Sequence, residues 1–109
     1  MHEKETLEEL RQIQKNKEHW KSNIDDVAEK LNEDWPVNVK AKALWILGEM
    51  GLKYPQQIRL HLGKIAEYLE DDYPKLRERS INALGRIGRA DNELNIFYFT
   101  SITPAYLLL

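Results

Sequence analysis

The chain contains its own internal copy. Residues 17–36, KEHWKSNIDDVAEKLNEDWP, lie over residues 55–74, PQQIRLHLGKIAEYLEDDYP, at an offset of 38, so that Trp20 falls on Ile58, Ile24 on Leu62, Val27 on Ile65, Ala28 on Ala66 and Leu31 on Leu69. Residues 39–51, VKAKALWILGEMG, lie over residues 76–88, LRERSINALGRIG, at an offset of 37. A repeat of this length constrains the fold more than any local propensity, because each copy is one supersecondary unit that buries its apolar face against its neighbour.

Within each copy the apolar residues follow a helical period. Ile58, Leu62, Ile65, Ala66 and Leu69 are spaced i, i+4, i+7, i+8, i+11, and Val39, Ala43, Ile46, Leu47 and Met50 repeat that spacing. Each copy therefore reads as two amphipathic helices. Asp34 or Asp72 can cap the second helix, and Pro36 or Pro74 suits its first turn, where a missing N–H costs nothing. Gly51 and Gly88 stand where a left-handed C-terminal cap would close that helix. Shifting the second helix back by 37 puts Leu7, Leu10 and Ile13 on Leu44, Leu47 and Met50, so the N-terminal stretch reads as a lone capping helix. The boundaries are then 1–16 for that helix, 17–54 for the first unit, 55–91 for the second and 92–109 for a partial third unit or apolar tail, which Pro104 should kink or shorten.

Two helices per unit, a basic residue after an aliphatic one (Val39-Lys40, Leu76-Arg77) and the Leu-Gly-x-Met/Ile-Gly endings at residues 47–51 and 84–88 resemble the HEAT-repeat family. The spacing is shorter than the ~40–47 residues usual for HEAT and armadillo arrays. The resemblance implies an all-α fold, a short right-handed α-solenoid of antiparallel helix pairs. Its second helices would line a concave surface that binds other macromolecules, usually without chemistry of its own. HEAT-like repeats also occur in DNA alkylation repair glycosylases and in lyases that attach bilin chromophores, which keeps a nucleic-acid-binding or enzyme-associated module as the alternative.

Composition narrows the partner. The 109 residues carry 16 Lys+Arg against 18 Asp+Glu, a formal net charge of −2, which argues against nucleic acid and anionic membrane as partners. Zero cysteine excludes a disulfide framework and a thiolate metal site and suits a reducing, cytoplasmic setting. The start MHEKETLEEL has no apolar h-region, and residues 94–109 fall short of the ~20 apolar residues a membrane span needs.

Candidate chemistry is sparse. Ser80 occupies a position held elsewhere by Ala43 and Thr6, which points to packing and not to a nucleophile. His2, His19 and His61 share no metal-ligand spacing and read as solvated. The acids Asp25, Asp26 and Glu29, and Glu70, Asp71 and Asp72, read as polar helix faces and exits. Gly85-Arg86-Ile87-Gly88 matches the Gly-x-x-Gly loop of KH domains, but the equivalent Gly48-Glu49-Met50-Gly51 has an acid where phosphate would sit. No catalytic residue, cofactor or metal site is expected.

The informative residues are those that packing does not require. At ~100° per residue Trp45 points almost opposite to the stripe of Val39, Ala43, Ile46, Leu47 and Met50. Around it fall Lys42 and Glu49, and one unit on come Arg79, Asn82, Arg86 and Arg89. Trp and Arg dominate interface hot spots, so this patch is the expected protein-binding surface. The competing reading has Trp45 wedged between adjacent second helices with the arginines as ordinary solvent charges. Trp20 is expected in the core, and Trp35 and Tyr73 are expected to pack the inter-helix turns. The uncharged stretch 94–109 suggests self-association, a C-terminal cap or the start of a longer array.

Overall fold

The computed structural model describes residues 2–91. The expectations for 92–109, including the partial third unit and self-association through 94–109, lie outside the described residues. Among the described residues all regular structure is helical, as the periodicity predicted: α1 (Glu3–Lys15), α2 (Trp20–Glu29), α3 (Val37–Lys53), α4 (Pro55–Ile58), α5 (Leu62–Glu67) and α6 (Pro74–Ala90). Short 3-10 turns at Lys17–His19, Arg59–His61 and Tyr68–Glu70 join or extend these.

The central element is α3. Its sequence, VNVKAKALWILGEMGLK, is apolar nearly all round, the signature of a helix covered on several sides. It meets α1, α2, α4 and α6, and its contact with α6 is by far the most extensive among the described residues. The buried set therefore goes beyond the expected stripe to Ala41, Leu44, Gly48 and Gly51. Trp20, Ile24, Val27 and Leu31 are buried, and so are Ile58, Leu62, Ile65 and Leu69 at the matching positions. These side chains join with those of α1, α3 and α6 into one apolar cluster from Leu10 to Ile87.

Bonds between side chains and distant segments recur at the repeat period. Asp25 meets His61 at 2.8 Å, Lys75 donates to Asn38 at 3.4 Å, Asn38 donates to Glu3 at 3.1 Å, and the Tyr68 hydroxyl donates to the Leu31 carbonyl. Their sequence separations are 35 to 37. Equivalent positions of successive segments are thus brought side by side.

Several local expectations are corrected. Gly51 and Gly88 lie inside α3 and α6 and no described glycine has positive φ, so neither is a left-handed cap. A Cβ on Gly51 would stand 2.2 Å from Ile87 Cγ1, and one on Gly48 would stand 3.0 Å from Ala83 Cα. Both glycines serve the close approach of α3 and α6. No Asp side chain caps α3 or α6. The Asp71 carboxylate instead accepts from the Tyr73 backbone N–H at 3.0 Å, and Arg77 donates to the Asp71 carbonyl at 2.8 Å, which fixes the turn before α6. Pro74 opens α6 as expected, whereas Pro36 is the extended residue just before α3.

The first helix of the second unit is broken into α4, a turn, α5 and a further turn. His61, at φ −105° and ψ 0°, interrupts it, as His19 at φ −105° and ψ 7° does before α2. Gly63 follows the break and contributes little helix propensity. Trp35 packs against the core and its indole N–H donates to Glu29 at 3.2 Å, but Tyr73 is 56% exposed, so only one of the two turn aromatics packs.

Candidate functional site

The site grows out of the α3–α6 contact. Gly48 and Gly51 have no side chain to hold the helices apart, so the backbone of Ala83 and the side chain of Ile87 come directly onto α3. Gly48 also leaves a path across α3: a Cβ there would lie 3.4 Å from Arg86 Cδ. The Arg86 stem runs over this glycine and its guanidinium carbon sits 4.0 Å from the Trp45 ring centroid. Arg79 reaches the same ring at 4.8 Å. Trp45 is half-buried, and so are both arginines. Trp45 is thus packed between α3 and the arginines of α6, as the wedge reading expected, while both arginines lie over its ring and are not ordinary solvent charges.

Stacking occupies the flat face of a guanidinium and leaves its in-plane N–H donors available. Among the described residues neither Arg79 nor Arg86 donates to a carboxylate or other acceptor, and Lys42 has no ion-pair partner. Elsewhere Lys30, also half-buried, is held by Glu9 at 3.7 Å and Glu29 at 3.6 Å. Among the described residues, the guanidinium donors around Trp45 are unspent.

A groove of about 460 Å³ lies beside them, lined by Leu7 of α1, by Asn38, Ala41, Lys42 and Trp45 of α3, and by Lys75 and Arg79 of α6. Leu7, Ala41 and the indole give it an apolar floor, and Lys42, Lys75 and Arg79 give it a cationic wall. Lys42, Trp45, Arg79 and Arg86 are thus brought together. Glu49 lies one turn beyond Trp45 and accepts from Gln14 of α1 at 2.6 Å. Asn82 is exposed and lines a separate depression with Pro74, Arg77, Glu78 and Ile81, and Arg89 is exposed outside the groove. Leu7, Asn38 and Lys75 were missed from sequence. Their signal was the repeat itself, since Asn38 and Lys75 stand one unit apart and α1 aligns with α3.

The other chemical candidates have structural roles. Ser80 is fully buried and donates to the Ile65 carbonyl at 2.6 Å. His61 is not simply solvated: its side chain is 20% exposed and bonded to Asp25. Gly85-Arg86-Ile87-Gly88 is helical, so no Gly-x-x-Gly loop forms. No group of three His, Cys, Asp or Glu side chains among the described residues could hold a metal ion. No helix of the described residues is long and apolar enough to cross a membrane.

The chain matches no protein-family model, no curated protein and no solved structure.

Proposed function

We propose that this chain is a non-catalytic, cytoplasmic protein-interaction or assembly module. It is a short HEAT-like right-handed solenoid of antiparallel helix pairs whose partner-binding surface is formed by α3 and α6. The observation that carries the reading is the pair of half-buried arginines whose guanidinium carbons lie over the Trp45 ring, with no acceptor of their own among the described residues. Desolvated Arg and Trp at the centre of a surface are the residues that dominate protein interfaces. The internal repeat and the separations of 35 to 37 between bonded segments support the solenoid.

The test is a double variant, Trp45→Ala with Arg86→Glu, used beside the wild type to capture partners from source-cell lysate and then to measure affinity for each protein identified. A loss of at least about tenfold, ~1.4 kcal/mol, is expected for a partner docked here. Unchanged affinity removes the reading.

The gathering of Trp45, Arg79 and Arg86 also favours a second reading, binding of duplex DNA through its phosphates. Affinity would then fall steeply with salt. Absence of duplex binding at low salt eliminates it.

A further inference from the structure

The groove between α1, α3 and α6 has a chemical character more specific than a general interaction surface. Its floor is apolar, Leu7, Ala41 and the edge of Trp45, and its wall carries Lys42, Lys75 and Arg79, with Arg86 behind the indole. Among the described residues Lys75 Nζ reaches only a neutral acceptor, the Asn38 side-chain Oδ1, at 3.4 Å. Two carboxylates lie next to these residues. Glu3 accepts from Asn38, and Glu49, one turn beyond Trp45 on α3, accepts from Gln14.

The lining residues set a length. On α3 they run from Asn38 to Trp45, so at 1.5 Å per residue the cationic window is roughly 10 Å long. An extended chain at 3.3 Å per residue fits about three residues into that window. A continuous phosphate backbone running on past the window would meet Glu3 and Glu49. A short acidic segment would not, because its negative charge can end where theirs begins.

We propose that this groove binds a short acidic segment of a protein partner, with carboxylates on Lys42, Lys75 and Arg79 and one aromatic or aliphatic side chain laid against Trp45 and Leu7. The inference rests on the interaction-module reading and names the chemistry of its partner. The Arg79 guanidinium is already held in place by the indole, so carboxylate pairing costs less side-chain entropy than it would at a free arginine. The apolar floor supplies what charge alone does not, a preference for a segment with a buried anchor.

The experiment uses fluorescein-labelled peptides and fluorescence anisotropy with the full chain. The probes are an Asp/Glu-rich peptide with one central Phe, the same peptide with Ala for Phe, a Lys-rich peptide with the same Phe, and a single-stranded and a duplex oligonucleotide. The Phe-containing acidic peptide is expected to bind, to weaken several-fold on replacement of Phe by Ala, and to weaken as ionic strength rises. Arg79→Glu is expected to weaken it by at least about tenfold, and the exposed Lys21→Glu on α2 to leave it unchanged. Circular dichroism checks that each variant is folded, and Lys42→Glu with Lys75→Glu takes the place of Arg79→Glu should that chain not fold. No binding of the acidic peptide, equal binding by the charge reversals, or tighter binding of an oligonucleotide overturns the proposal. If Trp45→Ala with Arg86→Glu still abolishes capture of a protein partner while the acidic peptide does not bind, the interaction module stands and the acidic segment falls.

Discussion

The guanidinium carbon of Arg86 lies 4.0 Å from the centroid of the Trp45 ring, and the arginine reaches it across Gly48. A half-exposed cation–π contact of this kind contributes about 0.5–1 kcal/mol. A double-mutant cycle of Trp45→Ala and Arg86→Ala, followed by urea denaturation, should give a coupling energy in that range. The coupling is small because the stack's larger effect is to position donors. Arg86→Ala should therefore lose far more in partner affinity than in stability.

Gly51 and Ile87 fix the distance between α3 and α6. A methyl group at residue 51 would overlap Ile87 Cγ1 at 2.2 Å in a fully packed interface. Gly51→Ala gains ~1 kcal/mol of helix propensity, but overpacking of this kind costs typically 1–3 kcal/mol or more. A net loss of stability is expected in thermal denaturation. Combining it with Ile87→Ala, which removes the overlapping atom, should cost less than the sum of the two single variants.

Tyr68 is buried, and its hydroxyl donates to the Leu31 carbonyl across the repeat. Burial first, then the charges of Asp71, Glu67 and Glu33, raise its pKa from 10.0 to about 12. The folded chain keeps this proton where the unfolded chain has lost it. The stabilisation is fully present below pH 10 and is lost as pH rises through the interval to about 12. That loss amounts to roughly 3 kcal/mol. Tyr68→Phe should lower stability at neutral pH by about 1–3 kcal/mol, the cost of an unpaired buried carbonyl. It should also flatten the alkaline decline, as urea titrations at stepped pH would show.

Sequence periodicity identified the core because burial repeats with the helix. Trp20, Ile24, Val27, Leu31, Ile58, Leu62, Ile65 and Leu69 are all buried, and no local signal had to be interpreted to place them. The glycines were ambiguous in principle. Gly51 after a last apolar residue fits a left-handed cap as well as a helix contact, and only the position of Ile87 separates the two. The break at His61 was not legible, because the apolar period of Ile58, Leu62 and Ile65 runs straight through it.

At the site, Trp45 stood out because its angle on α3 disagrees with the stripe, and Arg79 and Arg86 because they recur one unit on. Asn82 was grouped with them, yet three residues from Arg79 places it about 60° around the helix. That rotation turns it toward the depression beside Ile81 and away from the groove. Leu7 and Lys75 could have been drawn in through the repeat alignment, but that α1, α3 and α6 line one groove shows only in the folded chain.

The three indoles make the groove directly observable. The Trp20 N–H donates to the Ile13 carbonyl at 2.9 Å and the Trp35 N–H to Glu29 at 3.2 Å, while the Trp45 N–H has no acceptor among the described residues. Nitrogen-15-labelled chain titrated with a captured partner, or with the acidic Phe peptide, reports all three signals in one spectrum. Occupation of the α1–α3–α6 groove shifts the Trp45 indole signal and leaves those of Trp20 and Trp35 in place. Saturating binding with the Trp45 signal unmoved would place the partner elsewhere on the chain.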